Sequence, residues 1–139
     1  MKHLSHSAQE TFKLGTNIAK KLKGGEIIGL IGELGSGKTT FVQGLAKELG
    51  IKERVISPTF VLIRQYQSPK FSLYHVDLYR IDRPGELKTL GLEEIWYHPQ
   101  NIVIIEWAEK AKALLPQETI YLMFEYKSKS ERIITGMEL

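Results

Sequence analysis

The chain has 139 residues, 42% of them hydrophobic, with 19 basic against 16 acidic side chains and no cysteine. That suffices for one domain, residues 1–139, with a core of its own, is too little for two ordinary ones, and excludes disulfides and thiolate metal sites. The formal charge of +3 comes without a long basic run, Met1 to Glu10 lack the apolar stretch of a signal peptide, and no window reaches membrane-spanning length. Charge alone therefore asks for no nucleic-acid contact, and a soluble cytoplasmic protein without membrane contact is expected.

In chain order, Ser7-Ala8-Gln9-Glu10 has the spelling of a capping box. Leu14, Ile18 and Leu22 follow at four-residue spacing, and Gly24-Gly25 supplies a stop, which predicts an amphipathic helix. Glu26 to Ile31 is a short β-branched run bounded by glycine, the signature of a strand buried on both faces. Lys38 to Leu49 places Phe41, Val42, Leu45, Ala46 and Leu49 on one helical face and ends at Gly50. Thr59 to Tyr66 and Phe71 to Leu78 are β-prone runs joined by Gln67-Ser68-Pro69-Lys70, predicting an antiparallel pair inserted into the sheet. Asp82 to Trp96, interrupted by Pro84 and Gly91, suits one or two short helices. Asn101 to Glu106 reads as a second buried strand, Ala108 to Leu114 as a short helix before Pro116, and Thr119 to Tyr126 with Arg132 to Met137 as a final hairpin. The fold class is α/β, a phosphate-loop NTPase-like sheet of mixed parallel and antiparallel strands with flanking helices.

Between the first strand and the second helix, Gly32-Glu33-Leu34-Gly35-Ser36-Gly37-Lys38-Thr39 fits G-x-x-x-x-G-K-[ST]. Glycines at these positions let consecutive N–H groups turn inward around phosphate oxygens, and the following helix adds its dipole. Lys38 then reaches the β- and γ-phosphates, and Thr39 offers its hydroxyl to Mg²⁺. The bland reading is a glycine-rich helix entry with a solvated lysine.

Mg²⁺ on such a loop needs a further acid. Glu106 follows four apolar residues, as a Walker B acid does, although aspartate is commoner there; the plain alternative is a strand-end carboxylate that is solvated or caps Ala108. Asp77 closes the strand His75-Val76-Asp77, with Tyr79 on the same face if the strand runs on. It reads equally as a turn acid or as the partner of Arg80. His75 reads as a satisfied core or rim histidine, and Trp96 and Trp107 as packing residues.

The loop through Phe41, Ser57-Pro58-Thr59-Phe60, His75-Val76-Asp77-Leu78-Tyr79-Arg80 and Ile105-Glu106-Trp107 together resemble the TsaE (YjeE) family of small bacterial ATPases. The resemblance runs from the capping-box helix to Arg132. It implies ATP and Mg²⁺ as cofactors and an ATPase, monomeric when alone, that joins TsaD and TsaB in forming N6-threonylcarbamoyladenosine at position 37 of tRNAs reading codons that begin with A. Transfer chemistry would belong to TsaD, and tRNA would be met through the complex. By the same resemblance Lys38, Thr39 and Thr40 hold phosphates, Thr39 and Glu106 serve Mg²⁺, and Asp77 is needed for hydrolysis, with Lys38, Asp77 and Glu106 as the catalytic set. The nucleotide-binding set comprises Glu33, Leu34, Gly35, Ser36, Gly37, Lys38, Thr39, Thr40, Asp77 and Arg80, with Thr11 and Arg132 toward the adenine. Ser57-Pro58-Thr59 resembles a nucleotide-sensing switch, and Trp107 lies beside the metal acid. Glu33 stands where the family often has aspartate and Ser36 where alanine is common; the phosphate cradle requires neither side chain.

Two other enzymes use the same loop. A regulatory GTPase would find its D-x-x-G in Asp82-Arg83-Pro84-Gly85, but that segment does not close a buried strand and no [NT]-K-x-D follows. A small-molecule kinase would need a basic lid, for which Lys129 and Arg132 are the late candidates.

Overall fold

The computed structural model describes residues 1–58 and 62–136. Seven strands form one sheet: β1 (Lys2–Ser5), β2 (Ile27–Ile31), β3 (Ile63–Gln67), β4 (Ser72–Asp77), β5 (Asn101–Glu106), β6 (Ile120–Tyr126) and β7 (Arg132–Gly136). Their spatial order is β1-β7-β6-β2-β5-β4-β3. The middle four, β6, β2, β5 and β4, are mutually parallel, while β3 at one edge and β7 toward the other run antiparallel to their inner neighbours. Helices α1 (Ala8–Ala19) and α2 (Lys38–Leu49) cover one face, with Leu14, Ile18, Phe41 and Leu45 packed on Ile28, Leu30, Ile104 and Leu122. The other face is covered by 3₁₀ turns at Pro84–Leu90 and Ala108–Ala111 and the single helical turn α3 (Glu93–Trp96), which bury Ile27, Val103 and Ile105 under Leu87, Leu92, Trp96 and Ala108. Burial on both faces accounts for the near-continuous apolar runs of β2 and β5.

Most predicted elements form with small shifts. Helix α1 stops at Ala19 instead of carrying on through Leu22, because Lys21 and Leu22 already make three-residue turns to Ile18 and Ala19. Ser7 caps it as expected, accepting from the Glu10 N–H, but the Glu10 carboxylate reaches back to the N–H of His6, one residue earlier than the capping box prescribes. The expected helix from Ala108 to Leu114 is a 3₁₀ turn that ends at Ala111. The β3–β4 hairpin lies at the sheet edge, with β4 alone taking an inner position beside β5. Residues 59–61 of the predicted Thr59 to Tyr66 strand, and Met137 of the last, lie outside the described residues; β3 itself begins at Ile63, after Leu62 at φ 68.

One strand was not anticipated. β1 pairs antiparallel with β7, setting Ser5 opposite Arg132, and the Met1 ammonium donates to the Gly136 carbonyl at 2.7 Å. Its side chains alternate too weakly to announce a strand, and its partner lies at the other end of the chain.

Helices α1 and α2 cross so closely that a side chain would not fit between them. A Cβ on Gly15 would sit 2.1 Å from the Phe41 carbonyl oxygen, and one on Gly44 1.9 Å from that of Phe12. The pair of glycines therefore fixes how near α2, and the loop feeding it, lies to α1.

Candidate functional site

The carboxyl ends of β2, β5 and β4 lie side by side, with Leu30 in register with Glu106 and Glu106 with Asp77. Alternation along the strands turns Glu106, Asp77 and His75 to the α2 face, the same side on which the 32–39 loop leaves β2. A pocket of about 450 Å³ opens there. Leu34, Gly35, Gly37, Lys38, Thr39 and Thr40 form its floor, Asp77 and Glu106 one wall, and Ser57 its rim. Ser7, Ala8 and Thr11 at the start of α1, with Lys129 and Ser130 of the β6–β7 turn and Arg132 at the start of β7, close the far end. This is the crevice beyond the strand ends where open α/β sheets bind ligands.

The loop has the backbone an anion needs. Gly35 and Gly37 sit at φ 78 and φ 100, in the left-handed region that side chains resist. Gly37 is also the N-cap of α2 and offers no side chain to bond the first-turn N–H groups, which leaves them to an anion in the pocket. The buried Ser36 hydroxyl has no hydrogen-bond partner. Lys38 is 5% exposed; its ammonium donates to the Gly32 carbonyl and lies 4.4 Å from the centre of the Trp107 ring. Burial lowers its pKa below 10.5, against the opposing pull of Glu106, Asp77 and Glu109. A charge kept in so dry a place gains from a polyanion.

Glu106 is 4% exposed, and its Oε2 accepts from His75 Nε2 at 2.6 Å. Asp77, 2% exposed, uses Oδ1 to accept from the Tyr79 N–H at 2.8 Å, so the turn role and the place in the pocket hold together and the strand ends there. Trp107 takes φ 58, rare for a bulky residue, and this bend carries its ring under Lys38 and to 5.3 Å from that of Tyr79. It is therefore more than a packing residue. Cation–π contact of this kind contributes about 1 kcal/mol.

A divalent ion fits the donor set. Thr39 supplies a hydroxyl and Glu106 a carboxylate, both hard oxygens, and no cluster of three or more acidic, histidine or cysteine ligands occurs among the described residues. That is too few ligands for a dedicated cage and suits Mg²⁺, which completes its shell with phosphate oxygens and water.

Of the residues expected at the site, Leu34, Gly35, Gly37, Lys38, Thr39, Thr40, Asp77, Glu106, Thr11 and Arg132 line the pocket. Glu33, Ser36 and Arg80 are not among its lining residues; Glu33 points to solvent, and its carbonyl accepts from the Ser36 N–H at 3.2 Å. The guanidinium of Arg132 is spoken for: it donates to the Gly35 carbonyl at 2.9 and 3.2 Å and to those of Ser128 and Glu131, over the face of Tyr126. It braces the loop against the β6–β7 turn. Thr11 bonds Ser5 at 2.7 Å and so ties α1 to β1. Thr59 and Phe60 of the switch-like motif lie outside the described residues, while Ser57 reaches the rim. Asp82 of the D-x-x-G spelling is exposed, follows the Asp77 turn and takes the Glu86 carboxylate on its N–H, away from the pocket.

The family model described as "Threonylcarbamoyl adenosine biosynthesis protein TsaE" matches residues 5–134. The chain belongs to the TsaE family. Family members similar to it include the tRNA threonylcarbamoyladenosine biosynthesis protein TsaE of Treponema pallidum, 37% identical over 97% of this chain and 98% of that one. The protein of the same name in Bacillus subtilis is 39% identical over 91% of this chain and 78% of its own length. Among solved structures, the one titled "Crystal structure of Bacillus subtilus YdiB" superposes with a TM-score of 0.82 at 34% identity, covering 98% of this chain and 83% of that one. The fold and the place in tRNA threonylcarbamoyladenosine biosynthesis follow from this membership.

Proposed function

We propose that the protein is a Mg²⁺-dependent ATPase that acts with TsaD and TsaB in the cytoplasm, hydrolysing ATP to drive or reset the complex that forms threonylcarbamoyladenosine on tRNA. The observation that carries this reading is the convergence of Lys38, Thr39, Asp77 and Glu106 in one pocket at the ends of three adjacent parallel strands. The loop N–H groups and Lys38 would bind the β- and γ-phosphates, and Thr39 and Glu106 would hold the metal. Mg²⁺ bound there would offset the charge that develops on the phosphates. Asp77 orients the attacking water, with its carboxylate held in place by the Tyr79 N–H. Arg132 and Gly35 keep the loop in the shape that receives the phosphates.

Among the described residues that line the pocket, Asp77 alone is assigned to the attacking water, and phosphoryl transfer rests on positioning and charge that a partner can complete. Turnover is therefore slow for the isolated protein and rises when TsaD and TsaB are added. The test measures ATP hydrolysis with and without both partners, for the wild-type protein, Lys38→Ala and Asp77→Asn. Asparagine keeps the oxygen that accepts from Tyr79, so it removes the charge and leaves the turn. Asp77→Asn should bind ATP normally and lose turnover by about 100-fold, whereas Lys38→Ala should lose binding. Normal hydrolysis by Asp77→Asn in the assembled complex, or equal turnover with and without partners, would overturn the assignment.

A further inference from the structure

Among the buried groups that the proposed mechanism leaves unused, His75 stands out. It is fully buried in the middle of β4, and among the described residues the one hydrogen bond of its imidazole is the 2.6 Å contact from Nε2 to Glu106 Oε2; Nδ1 is buried without a partner. Burying an imidazole in this way is unfavourable by comparison with leucine or valine, which the apolar neighbours Leu73 and Ile104 would accommodate. The single bond it makes is therefore where its contribution lies.

We propose that His75 is the positioning residue for Glu106, fixing the carboxylate in the rotamer that presents it to the divalent ion. This rests on the reading of Glu106 as a metal ligand. The geometry is specific. An ionised carboxylate can only accept, so the ring must place its hydrogen on Nε2, and the 2.6 Å separation is short, in the sense that an ionised acceptor shortens a hydrogen bond. The competing partner is close: Lys38 feels the charge of Glu106, yet the two form no ion pair within 4.0 Å, and the ammonium rests on the Gly32 carbonyl and the Trp107 ring instead. With His75 holding one oxygen of Glu106, the acid is kept from collapsing onto the lysine, so both remain available, one to metal and one to phosphate. Outer partners of this kind set the orientation of a ligating carboxylate, and their loss typically lowers metal affinity by about 10- to 100-fold.

The test uses two amide substitutions that differ in where they put the amide nitrogen. In His75→Gln the amide nitrogen lies near the position of Nε2 and can still donate to Glu106; in His75→Asn it lies near Nδ1 and cannot reach. Asparagine is one methylene the smaller and leaves the larger void, so thermal melting checks that each variant is folded, and the binding measured in EDTA reads any packing defect apart from the metal. Binding of a fluorescent ADP analogue is titrated in EDTA and then against rising Mg²⁺. The expected result is unchanged affinity in EDTA for both variants, an apparent Mg²⁺ affinity within about threefold of wild type for His75→Gln, and a loss of about tenfold or more for His75→Asn. Equal Mg²⁺ affinity in the two variants, or a loss of the same size in EDTA as in Mg²⁺, overturns the proposal. Wild-type binding that ignores Mg²⁺ altogether refutes instead the reading of Glu106 as metal ligand, which separates the two failures.

Discussion

Replacing Gly44 by alanine opposes two effects whose sizes can be compared. Alanine is the better helix former by about 1 kcal/mol, and on an exposed helix the change would stabilise. Here the new methyl would lie 1.9 Å from the carbonyl oxygen of Phe12 and 2.8 Å from its carbon, both backbone atoms of the facing helix. No rotamer change relieves that contact, so α1 and α2 must part by more than about 1 Å to restore an ordinary C···O distance of about 3.3 Å. Parting them loosens Leu14, Ile18, Phe41 and Leu45, all part of one core. Overpacking of this severity costs about 3 kcal/mol, which outweighs the propensity gain and leaves a net loss of about 2 kcal/mol. For a domain of this size that lowers Tm by about 6–8 °C. Thermal unfolding of the ligand-free protein is the assay, with Gly85→Ala as the control, since Gly85 has open space around it and a φ outside the left-handed region. Gly85→Ala should hold or raise Tm. If Gly44→Ala melts at or above the wild-type temperature, the close crossing of the two helices is not what holds α2 in place.

Lys38 makes the stability of the ligand-free protein depend on alkaline pH. Its pKa is lowered from 10.5 by burial, so as pH rises toward that value the unfolded chain holds a proton that the folded one has released, and stability rises with pH. Lys38→Met should flatten that rise as the pH approaches 10.5 in urea unfolding; an identical slope in both proteins would show that the ammonium is not desolvated. Arg132 forks onto the Gly35 carbonyl through Nε and Nη2, a geometry lysine cannot reproduce. Arg132→Lys and Arg132→Ala should therefore weaken nucleotide binding alike, by about tenfold. Full recovery of affinity in the lysine variant would mean that charge alone, without the brace, is what the loop requires.

Periodicity, turn chemistry and the phosphate-loop spelling determine much of this protein before any coordinates are known. Ile27 to Ile31, Lys38 to Leu49 and Asn101 to Glu106 are each encoded locally, by β-branched runs, a 3.6-residue repeat and flanking glycines, and each forms where those signals put it. The acids Asp77 and Glu106 are legible as strand-end carboxylates for the same reason. Beyond the two hairpins, what the sequence could not show is which elements far apart in the chain become neighbours. β1 carries little pattern because its strand character comes from pairing with β7 at the far end of the chain, and that pairing sets Ser5 beside Arg132. That Arg132, expected toward the adenine, also braces Gly35 is visible only once the folded chain brings its fork to that carbonyl. His75 and Trp107 look like packing residues until the parallel register of β4 and β5 places one against Glu106 and the bend after β5 places the other beneath Lys38. Local signals are set within a few residues, where backbone geometry and hydrophobic spacing act directly. The partners of a buried charge lie tens of residues away and are chosen only when the sheet closes and water is excluded.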